Sequence, residues 1–117
     1  MDQKIVEPKT GRVVQLPKVF RNEKELREFR DDVVKKALEN PEYREEFLTH
    51  IGEGKSFGIL VDLKKLGMHV DGIDVVRLEF KFEDGEFVLK TAYPEKGSAV
   101  WSYRYVNRYE RGWVREG

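Results

Sequence analysis

Residues 76 to 93 carry a two-residue alternation of apolar and charged side chains that is interrupted once, at Asp84-Gly85. Before the interruption, apolar Val76, Leu78, Phe80 and Phe82 alternate with Arg77, Glu79 and Lys81. Such an alternation places one set of side chains on each face of a β-strand. Because Asp-Gly between two such runs is a strong signal for a two-residue turn, the sequence predicts an antiparallel hairpin with one apolar and one charged face.

The two-residue turn also fixes the expected register of the hairpin. The predicted pairs are Phe82 with Phe87, Phe80 with Leu89, Leu78 with Thr91, Val76 with Tyr93 and, on the charged face, Glu79 with Lys90. In this register Arg77 and Lys90 share the charged face. We expect that face to be open, because the helices should cover the apolar one.

Two helices are predicted ahead of this hairpin. Asn22 is expected to cap the first helix, and Leu26, Phe29, Val33, Val34, Ala37 and Leu38 then recur at helical spacing. Asn40 is expected to cap a second helix with Pro41 at its first position, and Gly52 and Gly54 are expected to end that helix. Helices followed by an antiparallel sheet predict the α+β class.

A chain of 117 residues is expected to form one domain. We divide it into a loose N-terminal segment with a short strand near residues 12–16, the two helices, the sheet, and an extension rich in aromatic residues and arginine; the respective ranges are 1–21, 22–52, 56–95 and 98–115. Within the sheet region, a strand over 56–61 and a helical turn over 63–66, closed by Gly67, are predicted.

Composition excludes several classes of site. The chain has no cysteine and two histidines, so we expect neither disulfides nor a structural zinc, and no cofactor. The apolar runs are short, which predicts a soluble, cytoplasmic chain without a membrane partner. The 22 basic residues balance the 22 acidic ones, so net charge gives no reason to expect a general polyanion binder.

The extension nevertheless concentrates aromatic and basic side chains. It contains Trp101, Tyr103, Tyr105, Tyr109 and Trp113 together with Arg104, Arg108, Arg111 and Arg115. This mixture is typical of surfaces that stack single-stranded nucleic acid, with Trp101 and Arg104 as candidate RNA contacts. It equally fits a terminal strand whose aromatic side chains pack inward and whose arginines face solvent.

The order of parts resembles a superfamily of small metal-independent ribonucleases, which includes barnase, the EndoU-type nucleases, the tRNA-cutting colicins and RelE. The resemblance rests on two helices, on His50 near the end of the second within "FLTHIGEGKS", and on a sheet strand that closes with "KTAYP". Lys90, Thr91, Tyr93 and Pro94 match the basic residue, Ser or Thr, aromatic and Pro that close the sheet in many members.

The resemblance implies a toxin-like endoribonuclease in which the substrate's own 2′-hydroxyl attacks the adjacent phosphate. Such a reaction needs a base, an acid and a cation that stabilises the charged phosphorane, but no metal. The implied roles are proton transfer by His50, charge stabilisation by Lys90 with Arg77, and support from Thr91. RNA, including tRNA, would be the substrate in the cytoplasm of the host or of a target cell, and a cognate antitoxin or immunity protein would be a second partner.

Each of these residues also has a plain structural interpretation. His50 suits the negative end of a helix dipole without any catalytic role, and Lys90 suits an ion pair with Glu79. The Thr91 hydroxyl could bond the backbone, and Tyr93 could cap the core rather than stack on a base.

Lys55 is one further candidate site residue, and two functions other than a ribonuclease also fit the sequence. Lys55, which follows two glycines, resembles the end of a phosphate-binding loop and is a further candidate RNA contact. The alternative to the ribonuclease is a non-catalytic module that binds RNA or neutralises a toxin, and a purely structural domain also fits the charged composition.

Overall fold

The protein is described by a computed structural model, which covers residues 4–6, 11–15 and 20–117. The elements, numbered in chain order, are β1 (Lys4–Val6), β2 (Val13–Gln15), α1 (Glu23–Glu39), α2 (Pro41–Glu53), β3 (Phe57–Asp62), a 3-10 turn (Leu63–Leu66), β4 (Val75–Glu83), β5 (Glu86–Lys96), β6 (Trp101–Tyr105) and β7 (Arg111–Arg115). The strands form two antiparallel sheets. The predicted α+β class is therefore confirmed.

Side-chain caps set the limits of both helices. The Asn22 side chain accepts a hydrogen bond from the backbone N–H of Glu25 at 2.9 Å, and Asn40 caps α2 in the same way. Gly54 ends α2 in the left-handed conformation at φ 64°, where a glycine has no side chain to clash. Gly52, predicted to help end the helix, lies instead in its last turn.

The two helices cover one face of the sheet formed by β3, β4 and β5, which we call the helix-covered sheet. Its core joins buried residues of both layers: Val33, Ala37, Tyr43, Phe47, Ile59, Val61, Val76 and Leu78. The Tyr43 hydroxyl also accepts a hydrogen bond from the backbone N–H of Asp62 at 2.8 Å. The predicted packing of the helices on the apolar face is confirmed, as are the strand after α2 and the turn that Gly67 closes.

The predicted hairpin register is correct next to the turn and wrong further along. Phe82 pairs with Phe87 and Phe80 with Leu89, but a β-bulge follows, in which Lys90 is an extra residue on β5. The remaining pairs are therefore Glu79 with Thr91, Leu78 with Ala92, Arg77 with Tyr93 and Val76 with Pro94. A one-residue shift exchanges the two faces of a strand, so Tyr93 leaves the helix-covered face.

The second sheet has the order β1-β2-β6-β7, and we call it the aromatic sheet. One face packs on the helix-covered sheet, on the side away from the helices, where Val14, Tyr93 and Val100 form a buried cluster. The predicted short strand near residues 12–16 is thus present as β2, and the extension supplies β6 and β7. The aromatic sheet covers only part of the face that the helices leave free, since Leu60 on that face is 42% exposed, and Leu26 of α1 also packs against the cluster that joins the two sheets.

This packing corrects part of the prediction of an open charged face on the hairpin. Arg77 is only about a quarter exposed (27%) and lies among carboxylates, at 3.1 Å from Glu79 and 3.4 Å from Glu95. Glu95 is contacted in turn by Arg12 at 2.8 Å, at the start of β2. Around Arg77 the charged face of the hairpin is therefore an ion-pair network that joins the two sheets. Nearer the turn the face is open, as predicted, and the exposed Lys81 pairs with Glu83 at 2.7 Å.

None of the helices in the described ranges has the length and apolarity that crossing a membrane requires.

Candidate nucleic-acid interface

The strands β6 and β7 present an ordered aromatic surface on the outside of the aromatic sheet. Alternate residues of one strand share a face, and directly opposite residues of paired strands share it too. Trp101 pairs with Arg115, Tyr103 with Trp113 and Tyr105 with Arg111. These six residues therefore lie on one face, and we call them the aromatic–arginine face.

The aromatic rings of this face remain accessible. Trp101 is 44% exposed, Trp113 45% and Tyr105 59%, whereas Ser102 on the opposite face of β6 is fully buried. Tyr103 is half-buried and packs against Trp113 with ring centroids 5.6 Å apart. Since an isolated exposed apolar residue is ordinary but a contiguous group is not, this cluster indicates an interaction surface.

Arginine and the aromatic rings are in direct contact on this face. The Arg111 guanidinium lies 5.0 Å from the ring centroid of Tyr103 and 5.2 Å from that of Tyr105, within the range of cation–π attraction. A hydrogen bond of 3.1 Å to the carbonyl oxygen of Gly11 also holds Arg111. Arg111 and Arg115 thus place positive charge beside the rings.

The face continues onto β2 and towards the loop between β6 and β7. Val13 pairs with Tyr103 and Gln15 with Trp101, so both extend the surface by one strand. In the loop, the Asn107 side chain accepts hydrogen bonds from the N–H groups of Tyr109 and Glu110, which fixes a tight turn. Tyr109, 86% exposed, stands at the end of the hairpin.

The inner face of the same strands has a different chemistry. Arg104 donates to Glu116 at 2.7 Å, and the Ser102 hydroxyl donates to the same carboxylate at 2.8 Å. Burial opposes ionisation of Glu116, but the hydrogen bonds from Arg104 and Ser102 outweigh it and hold the pKa of this carboxyl below its ordinary value. Arg104, predicted to contact RNA, is instead part of this inner network.

The interpretation of the extension as aromatic residues packed inward and arginines facing out is therefore wrong for β6. Trp101, Tyr103 and Tyr105 face outward, while Ser102 and Arg104 face inward. The small, buried Ser102 allows the two sheets to approach, and Arg104 pairs there with the half-buried carboxylate of Glu116. Sequence alone did not show which set faces the core, because both sets contain polar residues.

The residues predicted to be catalytic are not brought into one cluster. His50 is half-buried near the end of α2, where its ring stacks on Phe57 at 4.6 Å, on the helix side of the helix-covered sheet. Arg77 lies on the opposite face of that sheet with Glu79 and Glu95. A sheet therefore separates the proposed proton-transfer group from one proposed phosphate-binding cation.

Lys90 and Thr91 also differ from their predicted positions. Lys90 does not pair with Glu79, because the β-bulge places Thr91 in that position. Both residues line a groove between α1 and β5, together with Arg27 and Arg30. Sequence reasoning missed these two arginines, whose position beside β5 depends on how α1 crosses the sheet.

The predicted RNA contacts are distributed over distant elements. Tyr93 is only 2% exposed and packs with Val14 and Val100, so it is a core residue rather than a stacking platform. Lys55 is exposed just after the cap of α2. Of the four predicted RNA contacts, only Trp101 lies on the aromatic–arginine face. No group of three His, Asp or Glu side chains suitable for a metal ion occurs within the described ranges.

Comparison of the chain with protein-family models, with curated proteins and with solved structures gives no match.

Proposed function

We propose that the protein is a non-catalytic module that binds single-stranded nucleic acid, RNA in the first instance, on the aromatic–arginine face. The observation that supports this most is the set of exposed rings with arginines on one face of β6 and β7. Bases stack on such rings irrespective of sequence, because every base has a π-face. Arginine supplies both cation–π contacts and phosphate contacts.

The geometry favours single strands over duplexes. Alternate side chains on a strand stand about 7 Å apart. The exposed rings of Trp101 and Tyr105 therefore offer platforms along β6, with the half-buried Tyr103 between them. Bases that are already stacked and paired in a duplex have no free face for such platforms. Binding by this face therefore requires splayed, unpaired bases.

The positive charge of this surface is local, since the chain as a whole is neutral. Arg111 and Arg115 belong to the face itself, and the exposed Arg108 lies in the adjacent loop. Glu116 on the opposite face is engaged by Arg104 and Ser102, so the exposed Glu110 in the loop is the acidic side chain adjacent in sequence to Arg111. Phosphates would therefore meet a small positive field, and we expect binding that weakens as salt rises.

The binding test is fluorescence anisotropy of a labelled single-stranded oligoribonucleotide in EDTA at low salt, beside the same sequence as a duplex. We expect saturable binding of the single strand and at least fivefold weaker binding of the duplex. Trp101→Ala should weaken the binding of the single strand by about 1 kcal/mol or more. Phe82→Ala is the matched control, because Phe82 is similarly exposed (38%) on the hairpin of the other sheet. Equal losses in the two variants would contradict the proposal.

Cleavage of RNA, which the ribonuclease resemblance implies, stays a prediction that the same samples test. Total tRNA incubated with the chain in EDTA should remain intact if the module only binds. Fragments that end in a cyclic phosphate would support the enzyme, and Lys90→Ala should then reduce turnover by about 100-fold. We favour binding without cleavage because His50 and Arg77 lie on opposite faces of a sheet.

A further inference from the structure

A groove of about 200 Å³ lies between α1 and β5, away from the aromatic–arginine face. Its lining combines cations with apolar side chains, among them Arg27, Arg30, Lys90, Phe29, Val76 and Ala92. No carboxylate is among the described residues that line it. The groove therefore has an apolar floor beside a positive edge.

The β-bulge in β5 accounts for one of the cations. A bulge leaves its extra residue outside the regular ladder and redirects that side chain. Lys90 is the extra residue and is exposed, and it borders the groove together with Arg27 and Arg30 of α1. Three positive charges thus converge from two elements.

Arg30 adds an observation that points to an anionic ligand. Its Nε is buried and makes no hydrogen bond, although Asp31 Oδ1 lies 3.8 Å away. The Arg30 side chain as a whole is nevertheless 40% exposed, and its pair with Asp31 is too long for a hydrogen bond. A ligand carboxylate in the groove could therefore bind the accessible part of this guanidinium with a charge-assisted hydrogen bond.

We propose that this groove binds a small amphipathic carboxylate, with its apolar body against Phe29 and Val76 and its carboxylate at Arg30 and Lys90. Apolar contact and a charge-assisted hydrogen bond would act together, as is usual in small-molecule pockets. A nucleotide is the competing occupant. The Phe29 ring already packs on Phe20 at 5.0 Å, and Phe20 is only 7% exposed, which leaves less ring surface for a base than for a small apolar body.

The test is a titration of the isotope-labelled full chain with 4-phenylbutyrate, followed by NMR. We expect shifts of the Arg30 Nε–H signal and of the backbone amides at residues 90–92, with the tryptophan indole signals unchanged. The neutral amide, 4-phenylbutyramide, keeps the apolar body and lacks the charge, so it should bind at least about tenfold more weakly. This comparison needs no variant.

Two variants sharpen the test. Arg30→Gln combined with Lys90→Gln should weaken binding of 4-phenylbutyrate about tenfold, whereas Lys24→Gln combined with Lys35→Gln, which alters exposed lysines of α1 outside the groove lining, should leave it unchanged. Equal affinity for acid and amide, absence of the Arg30 shift, or displacement of 4-phenylbutyrate by uridine monophosphate at equal concentration would each overturn the inference.

Discussion

The two sheets of this protein use their aromatic residues in opposite ways. In the helix-covered sheet, Phe57 and Phe80 stack at 5.1 Å and Phe47 meets Phe80 edge to face at 5.3 Å, beneath two helices. In the aromatic sheet, Trp101 and Trp113 remain nearly half exposed, and no helix in the described ranges covers them. Burial explains the first set as core, while the second set makes most sense as a surface for a ligand.

The partners of the arginine side chains also differ between the two sheets. The arginine between the layers, Arg77, is neutralised by Glu79 and Glu95. The outward-facing Arg111 instead lies over tyrosine rings. An arginine that is paired with carboxylates, such as Arg77, has a structural role. An arginine that lies over aromatic rings, such as Arg111, keeps its charge available to a phosphate. The position of the acidic residues therefore distinguishes structural arginines from candidate functional ones.

The largest expected effect concerns the core of the helix-covered sheet. Leu78→Ala should lower the free energy of unfolding by about 2–5 kcal/mol, because Leu78 is fully buried and its loss leaves a cavity. Leu60→Ala, on the neighbouring strand and 42% exposed, should cost less than about 1 kcal/mol. Urea unfolding measures both values, and similar losses would refute the assignment of the core to the helix side.

A change in the aromatic–arginine face should act on binding rather than on folding. Tyr105→Ala should weaken binding of single-stranded RNA by about 1–3 kcal/mol, because a stacking platform is lost. Tyr105→Phe keeps the ring and should bind nearly as the parent does, in anisotropy titrations at one salt concentration. A loss in Tyr105→Phe as large as in Tyr105→Ala would exclude stacking as the cause.

The contact between the sheets should respond to acid through Glu116. Its pKa is lowered in the folded chain from the ordinary 4.5, so its ionised form contributes stability above that pH, which is lost as pH falls through the folded value. Glu116→Gln should cost about 1 kcal/mol at neutral pH and should make unfolding less dependent on pH below about 4.5. Thermal unfolding from neutral pH down to about 3 measures this. An unchanged pH dependence would count against a stabilising role for the hydrogen bonds of Glu116 with Arg104 and Ser102.

The smallest expected effect is on the salt dependence of binding. If Arg115 meets one phosphate, Arg115→Ala should reduce the slope of log affinity against log salt concentration by about 1. Lys35→Ala removes an exposed cation from α1 and should leave the slope unchanged. Anisotropy titrations over a range of salt concentrations compare the two, and equal slopes in both variants would remove Arg115 from the interface.

Much of the helix-covered layer could be predicted because its signals are local. Asn22 and Asn40 cap the helices they were expected to cap, and Asp84-Gly85 sets the register next to the turn. These features depend on side chains within a few residues of one another. Local chemistry therefore determines them before any tertiary contact forms.

The register beyond Leu89 was not predicted, because the apolar residues of β5 fit both parities. Phe87, Leu89 and Tyr93 continue one alternation, whereas Val88, Ala92 and Pro94 belong to the other, and the β-bulge at Lys90 shifts the register by one residue. That single shift moved Tyr93 into the contact between the sheets. It also separated Lys90 from the Glu79 pair on which the proposed catalytic face depended.

The candidate interface was predicted in composition but not in geometry. Trp101 and the arginines of the extension were recognised as a mixture suited to nucleic acid. Which residues share a face, however, depends on the pairing of β7 with β6 and on the burial of Ser102, which turns its neighbours Trp101 and Tyr103 outward. Long-range packing decides both. Arg104 shows the consequence, because its inward position follows from Glu116 rather than from its neighbours in sequence.

The most direct test of the central claim uses intrinsic tryptophan fluorescence, since the only two tryptophans of the chain, Trp101 and Trp113, both lie on the aromatic–arginine face. Titration with unlabelled single-stranded RNA should quench and shift their emission in a saturable manner, with the same midpoint as the anisotropy titration, and added salt should reverse the change. RNA binding detected by anisotropy with unaltered tryptophan emission would place the nucleic acid elsewhere, and the absence of both signals at low salt would contradict the proposed function.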